Sequence, residues 1–559
     1  MMRQLTLVQK GLLLAVLGLI FFYSFNAIQE SDSFYHLKTG QVIWESKSVP
    51  HSDIFSLTAP GAPWVTHEWL AELLFYAVFQ IFSPWGLLTL VALLAAATYY
   101  LIFRTAMRRG ADFYVTLLFL FVLGYITFEL WVARPQTIAY LLLVLLIYAM
   151  EGFRHESRPR TLMLAVLIMW LWANINASFV LGLVILLFYF LVECAKSFTS
   201  IFGEPSKKHK AWLGFAFLAA VAIAFINPNG YKIFTYSFAV APSAQLLQIQ
   251  EWKPLTTLLY HFNNQFVLVE IALVTLLLAW WYGWRQQSRD LTWLGVVVGV
   301  SILPFISIRH IGFWPLVAIA PAAVAISQVL KKVLERIPKV RFEATFGIVV
   351  GVIAIIRLLT IPGGWVRADV LPVDASDFIE KNSIHGPFVN LYNEGGYLLW
   401  RFFPKERVFI DGRSEVYGPT QVNELFDILG GHDNWQQLVD EKYKINYFIL
   451  AYRPVSLYQS IRPLIVNLMK DNWALIYWDD TSVIYVRNTS ENLPLIQKYG
   501  LAHVSPFRDP STIPQSEVAA AAVELTSLLE RSSHVQTVHY YTSIFVQEKN
   551  IPIPRGEPL

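Results

Sequence analysis

Asp32 and His36 stand four residues apart in Glu30-Ser31-Asp32-Ser33-Phe34-Tyr35-His36. On a helix that spacing puts them on one face. A carboxylate with an imidazole neighbour there can take a proton from an acceptor hydroxyl or, with Glu68 or His67 added, hold a divalent cation. The bland alternative is that Ser31 and Asp32 cap a following helix. Arg134 and Arg309 are the second candidate group, each ending an apolar run. A guanidinium is a planar fork that matches phosphate oxygens bidentately, so two of them beside a carboxylate suit a phosphorylated substrate. Alternatively, both snorkel to lipid headgroups. His67, Glu68, Asn174, Asn176, Asn227-Pro228-Asn229-Gly230 and His310 also sit at the ends of apolar runs. His67-Glu68 does not extend to a metalloprotease motif, because Ala71 stands where a second histidine is needed.

The elements that must carry these residues are membrane-like. Of the 559 residues, 55% are hydrophobic and 15% charged, with a mean hydropathy of +0.47, against about 25% charge in a soluble domain. A helix needs about 20 mostly apolar residues to cross a bilayer. Runs of that kind lie near 11–28, 85–103, 113–131, 136–150, 161–175, 178–195, 211–226, 266–284, 291–307, 312–330 and 343–361, and none follows. The first run is a membrane anchor rather than a signal peptide, since no small-residue cleavage site precedes Gln29-Glu30. The single cysteine, Cys194, excludes an intramolecular disulfide.

Charge orients these spans. Residues 1–361 carry a net +9 and residues 362–559 a net −6, giving the overall +3. Arg104/Arg108/Arg109, Arg154/Arg158/Arg160, Lys207/Lys208/Lys210, Arg285/Arg289 and Lys331/Lys332/Arg336/Lys339/Arg341 fall in every second loop, which makes those loops cytoplasmic. The alternation requires 67–82 to lie on the outer interface as an amphipathic helix. The N-terminus is then cytoplasmic, and the candidate residues and everything after 361 lie outside. No basic run is interleaved with aromatics in a soluble segment, which excludes nucleic acid as a partner.

The expected architecture is a polytopic α-helical membrane domain of about 11 helices over 1–361, with a first outer loop at 29–84, and an α/β domain with a tail over 362–559. After Pro362-Gly363-Gly364, strands are expected at 388–391, 408–410, 447–450, 474–477 and 483–486, the last two turning through Asp479-Asp480-Thr481. Helical patterns fit 374–382, 420–429, 433–443, 456–470 and 515–531; 397–403 suits either element. Asp411-Gly412-Arg413 reads as a turn, or as a polar lip that holds an acceptor. No phosphate-loop motif occurs in this part.

With Glu30-x-Asp32 opening a large outer loop, interfacial helices within it, a polytopic core and an outer C-terminal domain, the layout resembles the GT-C superfamily of integral-membrane glycosyltransferases. Its members include protein mannosyltransferases, the lipid A aminoarabinose transferase and oligosaccharyltransferases. Asp32 through Gly40, His51-Ser52-Asp53-Ile54-Phe55-Ser56, His67-Glu68-Trp69-Leu70 and Phe409-Ile410-Asp411-Gly412-Arg413 are similar to uncharacterised bacterial members. The resemblance implies that Asp32 acts as the base or positions the acceptor, with Glu30 as the motif's other acid. It also implies a polyprenyl-phosphate sugar donor, its phosphate held by Arg134, Arg309 and His310. No Trp-Trp-Asp motif occurs, because Tyr282 follows Trp280-Trp281, which speaks against oligosaccharide transfer to asparagine. The resemblance leaves room for a divalent cation, Mg or Mn.

The expectation is a glycosyltransferase moving one hexosyl or pentosyl unit to an acceptor glycan, lipid or protein on the outer face of a bacterial cytoplasmic membrane. Asp32, Glu30 and His36 are its catalytic candidates, Arg134, Arg309 and His310 its phosphate ligands, and His67, Glu68, Asn176, Asp411 and Arg413 its acceptor or supporting residues. A lipid-linked sugar transporter is the first alternative, although transporters favour midplane charges and repeats. A non-catalytic assembly protein of the same fold is the second.

Overall fold

The computed structural model describes residues 5–198, 206–236, 249–254, 291–331, 335, 339–361, 363–452, 455–470 and 472–549. Two compact units divide the chain. One comprises Met1–Ala27, Thr39–Val49 and Val65–Trp365; the other comprises Ile28–Lys38, Pro50–Trp64 and Val366–Leu559. Two pieces of the segment 29–84 therefore belong with the C-terminal residues.

The first unit is helical: α1 (Leu7–Ser24), α3 (Trp69–Arg108), α4 (Phe113–Ile126), α5 (Pro135–Glu156), α6 (Pro159–Ala173), α7 (Phe179–Ala195) and α8 (Lys207–Ala224), then Leu291–Ile306, Phe313–Val329 and Lys339–Leu359. Every expected span among the described residues falls on a helix. The run at 266–284, with Arg285, Arg289, Lys332 and Arg336, lies outside the described residues. By length and apolar composition, Leu7–Ser24, Trp69–Arg108, Pro135–His155 and Lys339–Leu359 can cross a membrane, and shorter apolar helices accompany them.

Local chemistry sets the helix ends. Thr6 and Gln9 form a reciprocal capping box before α1. Asp112 accepts from the Tyr114 and Val115 amides to open α4, and proline starts α5 and α6. Arg357 donates to the Phe22 and Phe25 carbonyls at the far end of α1. α3 contains two helical stretches, because Phe82 and Ser83 leave helical geometry just before Pro84. The break falls where the interfacial segment 67–82 is expected to end.

The second unit is built on a four-stranded sheet, β1 (Phe388–Val389), β2 (Tyr447–Ala451), β3 (Trp473–Trp478) and β4 (Ser482–Arg487), in the order β1-β2-β4-β3. β1 runs parallel to β2, and the other pairs are antiparallel. The β3–β4 turn is held by Asp479, which accepts from the Thr481 and Ser482 amides and from Tyr477. Helices Val373–Lys381, Gly395–Phe402, Pro419–Gly430, Val455–Lys470 and Val518–Leu529 surround the sheet in sequence. Residues 395–402 therefore resolve to helix. Residues 408–410 make no ladder: Val408 and Phe409 carbonyls accept from Leu57 N and the Thr58 hydroxyl. The Asn390 side chain bonds Phe409 N and the Ile410 carbonyl. A loop and a side-chain amide thus replace a neighbouring strand.

The loop piece 50–64 is fastened by charge. Arg413, 1% exposed, approaches Asp53 at 2.7 Å through Nη1 and forks onto Asp411 through Nε (2.8 Å) and Nη2 (2.6 Å). Tyr417 also donates to Asp411 (2.8 Å). The guanidinium packs over Phe55 and Trp64. Burial opposes this charge, but Asp411 and Asp53 hold the Arg413 pKa well above its ordinary value. Arg413→Met, leaving both carboxylates without their cation, is expected to cost about 3–5 kcal/mol, read as a lower melting temperature of the full chain in detergent. Arg413→Lys, charged but without the fork, should fall between; an unchanged melting temperature for Arg413→Met would remove the cluster's structural role.

Candidate functional site

In the first unit, five separate turns bring its sequence candidates together. Glu68, just before α3, accepts from Asn176 Nδ2 at 2.6 Å. His67 Nε2 lies 3.7 Å from the same carboxylate, its Nδ1 meets the Val65 carbonyl, and its ring packs on Tyr236. The adjoining loops are bolted by amides: Asn174 Oδ1 accepts from Trp69 Nε1, its Nδ2 donates to the Ile226 carbonyl, and Asn229 donates to the Thr66 carbonyl. Gln136 donates to the Arg309 carbonyl (3.0 Å) and to Tyr140.

Two residues that sequence reasoning did not single out, one charged and one aromatic, complete this group. The short turn Gln250–Trp252 supplies Glu251, paired with Arg134 at 3.2 Å, and Trp252, under the Arg309 guanidinium at 4.7 Å. The backbone of the turn is fixed, since the Ser307 hydroxyl donates to the Glu251 carbonyl and Ile308 N to the Lys253 carbonyl. The run Gln250-Glu251-Trp252-Lys253-Pro254, with charge beside an aromatic, was the available signal.

The electrostatics differ from residue to residue. Burial pushes the Glu68 carboxyl up to about 7, against the opposing pull of Arg309, Arg134 and the Asn176 bond. Arg134 first, then Arg309, hold Glu251 below the usual carboxylate range, so it is ionised. Burial first, then Arg309, brings His310 down to about 4. Its neutral ring donates from Nδ1 to the Ser307 carbonyl (3.1 Å), which leaves Nε2 as an acceptor. That bond secures the turn that carries Arg309 and points His310 by its Nδ1 at the backbone.

In the second unit, Asp32 opens α2 (Asp32–Ser46), whose first two turns belong to this unit. The helix spacing places Asp32 and His36 on one face; His36 is buried, its ring against Tyr35. Ser31 caps a helix distant in sequence: its hydroxyl accepts from Tyr397 N at 2.8 Å, in the first turn of 395–402. Backbone closes on Asp32, since a Cβ at Gly412 would overlap Asp32 Oδ1, and the Gly412 carbonyl accepts from Tyr392. Glu30 is half-buried in the preceding segment. Asp411 and Arg413 are buried in their cluster with Asp53, so the polar lip expected at 411–413 is internal, and both residues support the Gly412 backbone. Glu394, at the head of 395–402, has a buried Oε2 and a pKa that burial raises to about 7. Among the described residues, no group of three or more His, Cys, Asp or Glu side chains could hold a metal ion.

No family model and no curated protein sequence matches the chain. Solved structures do. An archaeal oligosaccharyltransferase, AglB from Archaeoglobus fulgidus, in complex with an inhibitory peptide and a dolichol-phosphate, aligns over 98% of this chain and 87% of its own, at a TM-score of 0.55 and 12% identity. The chain has the GT-C fold. The same oligosaccharyltransferase tethered to an acceptor peptide containing the NVT sequon gives the same coverage, identity and TM-score. Its complex with Zn and sulfate aligns over 97% of this chain and 85% of its own at 0.53. With this fold and its apolar helices, the GT-C-fold chain is a membrane protein.

The Glu68 titration should be visible in anion binding. Below about pH 7 its carboxyl is neutral; as pH rises through that value it adds a negative charge beside Arg309 and Arg134. Affinity of the full chain for farnesyl phosphate is therefore expected to fall across this range more steeply than in Glu68→Gln. Parallel pH profiles would show that Glu68 does not titrate there.

Proposed function

We propose that this protein is a glycosyltransferase that moves a sugar from a polyprenyl-phosphate donor to an acceptor glycan, lipid or protein on the outer face of the cytoplasmic membrane. The observation that carries this reading is the convergence of Arg134 and Arg309 on one group of turns in a GT-C-fold membrane protein. The solved neighbour's binding of a dolichol-phosphate supports a lipid-phosphate partner by analogy.

The chemistry breaks the bond between the anomeric carbon and the phosphate oxygen, and the bonding pair leaves with the phosphate. Arg134 and Arg309 stabilise the charge that develops there, as fixed cations at a departing oxyanion do. The acceptor's hydroxyl oxygen forms the new bond to the anomeric carbon, and its proton passes to the Asp32 carboxylate. Glu30 and His36 support Asp32, while Asn176 and His67 orient Glu68.

Two measurements test this with a polyprenyl-phosphate sugar and the full chain in nanodiscs. Asp32→Asn is expected to lower turnover by about 10²–10⁴ with little change in donor KM, whereas Arg309→Ala should raise donor KM as well. Undiminished transfer by both variants would end this reading. Gly412→Ala keeps the carboxylate but displaces it, and should lower turnover by about 10²; normal turnover in this variant would show that the Gly412 approach does not set the Asp32 position.

A further inference from the structure

Glu251 is paired with one of the two guanidinium groups assigned above to the donor phosphate. It meets Arg134 at 3.2 Å, and the charges of both Arg134 and Arg309 act on it. The exposure of the pair is unequal: the Arg134 side chain is 18% exposed and Glu251 48%. The backbone that carries Glu251 is pinned to 307–308 by two hydrogen bonds, so the side chain can leave by rotation alone while the turn stays in place. Trp252, on the same turn, packs against the Arg309 guanidinium.

Resting on the phosphate reading above, we infer that Glu251 is a resident anion of the donor site: it occupies Arg134 when no donor is present, is displaced by the donor phosphate, and returns to expel the spent lipid phosphate. Displacement makes binding an exchange of one anion for another, which lowers affinity and returns a counter-charge to Arg134 between turnovers. Return of the carboxylate competes with the product, whose phosphate would otherwise be held as strongly as the substrate's. The ligand class is a phosphate mono- or diester on a lipid; the carboxylate acts on its phosphate, not on its sugar.

The test measures farnesyl phosphate binding to the full chain in detergent, with melting temperature as a check on folding. Glu251→Gln, which keeps shape but not charge, is expected to tighten binding about fivefold, the scale of one partly exposed ion pair, mainly by slowing dissociation. Glu251→Asp, with a shorter reach to Arg134, should lie between. In an Arg134→Ala background the Glu251→Gln gain should vanish. If Arg134→Ala weakens binding but Glu251→Gln leaves it unchanged or weaker, the exchange is overturned while the phosphate reading stands. If neither Arg134→Ala nor Arg309→Ala weakens binding, the phosphate reading itself fails, and the exchange with it.

Discussion

A guanidinium cannot be buried without partners, and Arg413 has two carboxylates, one from its own turn and one from the distant segment 50–64. Desolvation makes such a cluster a poor source of net stability, yet it is highly selective, because any arrangement that separates Arg413 from Asp53 leaves buried charge without its counter-charge. Neighbouring features lean on it. The Asp53 carboxylate organises its own loop by accepting from the Ser56 hydroxyl and from the Phe55 and Ser56 amides. Asp411 and Arg413 flank Gly412, whose backbone lies against Asp32. The candidate catalytic carboxylate is therefore positioned by an ion cluster that does no chemistry itself.

The first unit solves a different problem. Its candidate residues come from helix ends, and each turn is held by side-chain amides reaching carbonyls of another turn: Asn174 to Ile226, Asn229 to Thr66, Gln136 to Arg309. Amides suit this task because they bond without adding charge. The ionisable groups are then free to be set by their surroundings, and they diverge: Glu251 is ionised, His310 is neutral, and Glu68 lies near its midpoint at neutral pH. Pairs of groups driven apart in this way are the pattern expected of a working site rather than of a packed core.

The helices of the first unit were legible because crossing a bilayer demands a composition that little else produces; even the break at Ser83-Pro84 was marked by its proline. Arg134, Glu68, Asn176 and Arg309 were legible for the complementary reason, as polar residues ending apolar runs. Glu251 was not, since the mixed stretch before it, Ala244-Gln245-Leu246-Leu247-Gln248-Ile249-Gln250, is not an apolar run whose end it could mark. The membership of Ile28–Lys38 and Pro50–Trp64 in the second unit was also hidden, because the pairing of Asp53 with Arg413 leaves no trace in local sequence. Residues 408–410 have the composition of a strand, but their hydrogen-bonding partners are a loop and Asn390. Asp411-Gly412-Arg413 looked like a surface turn because both charges are usually solvated; only the distant Asp53 makes their burial tolerable.

Ser31 and the helix whose amide it caps are 366 residues apart. At a synthesis rate of about 5–20 residues per second, roughly twenty to seventy seconds separate their emergence from the ribosome. During that interval Asp53 has no Arg413, and the segment 50–64 cannot adopt its final packing. The catalytic candidate Asp32 is thus among the first residues made and among the last to be placed, so a chain interrupted before Arg413 can thread its helices and still lack the ordered start of α2. Synthesis order makes completion of the C-terminal segment a checkpoint on the site near the N-terminus.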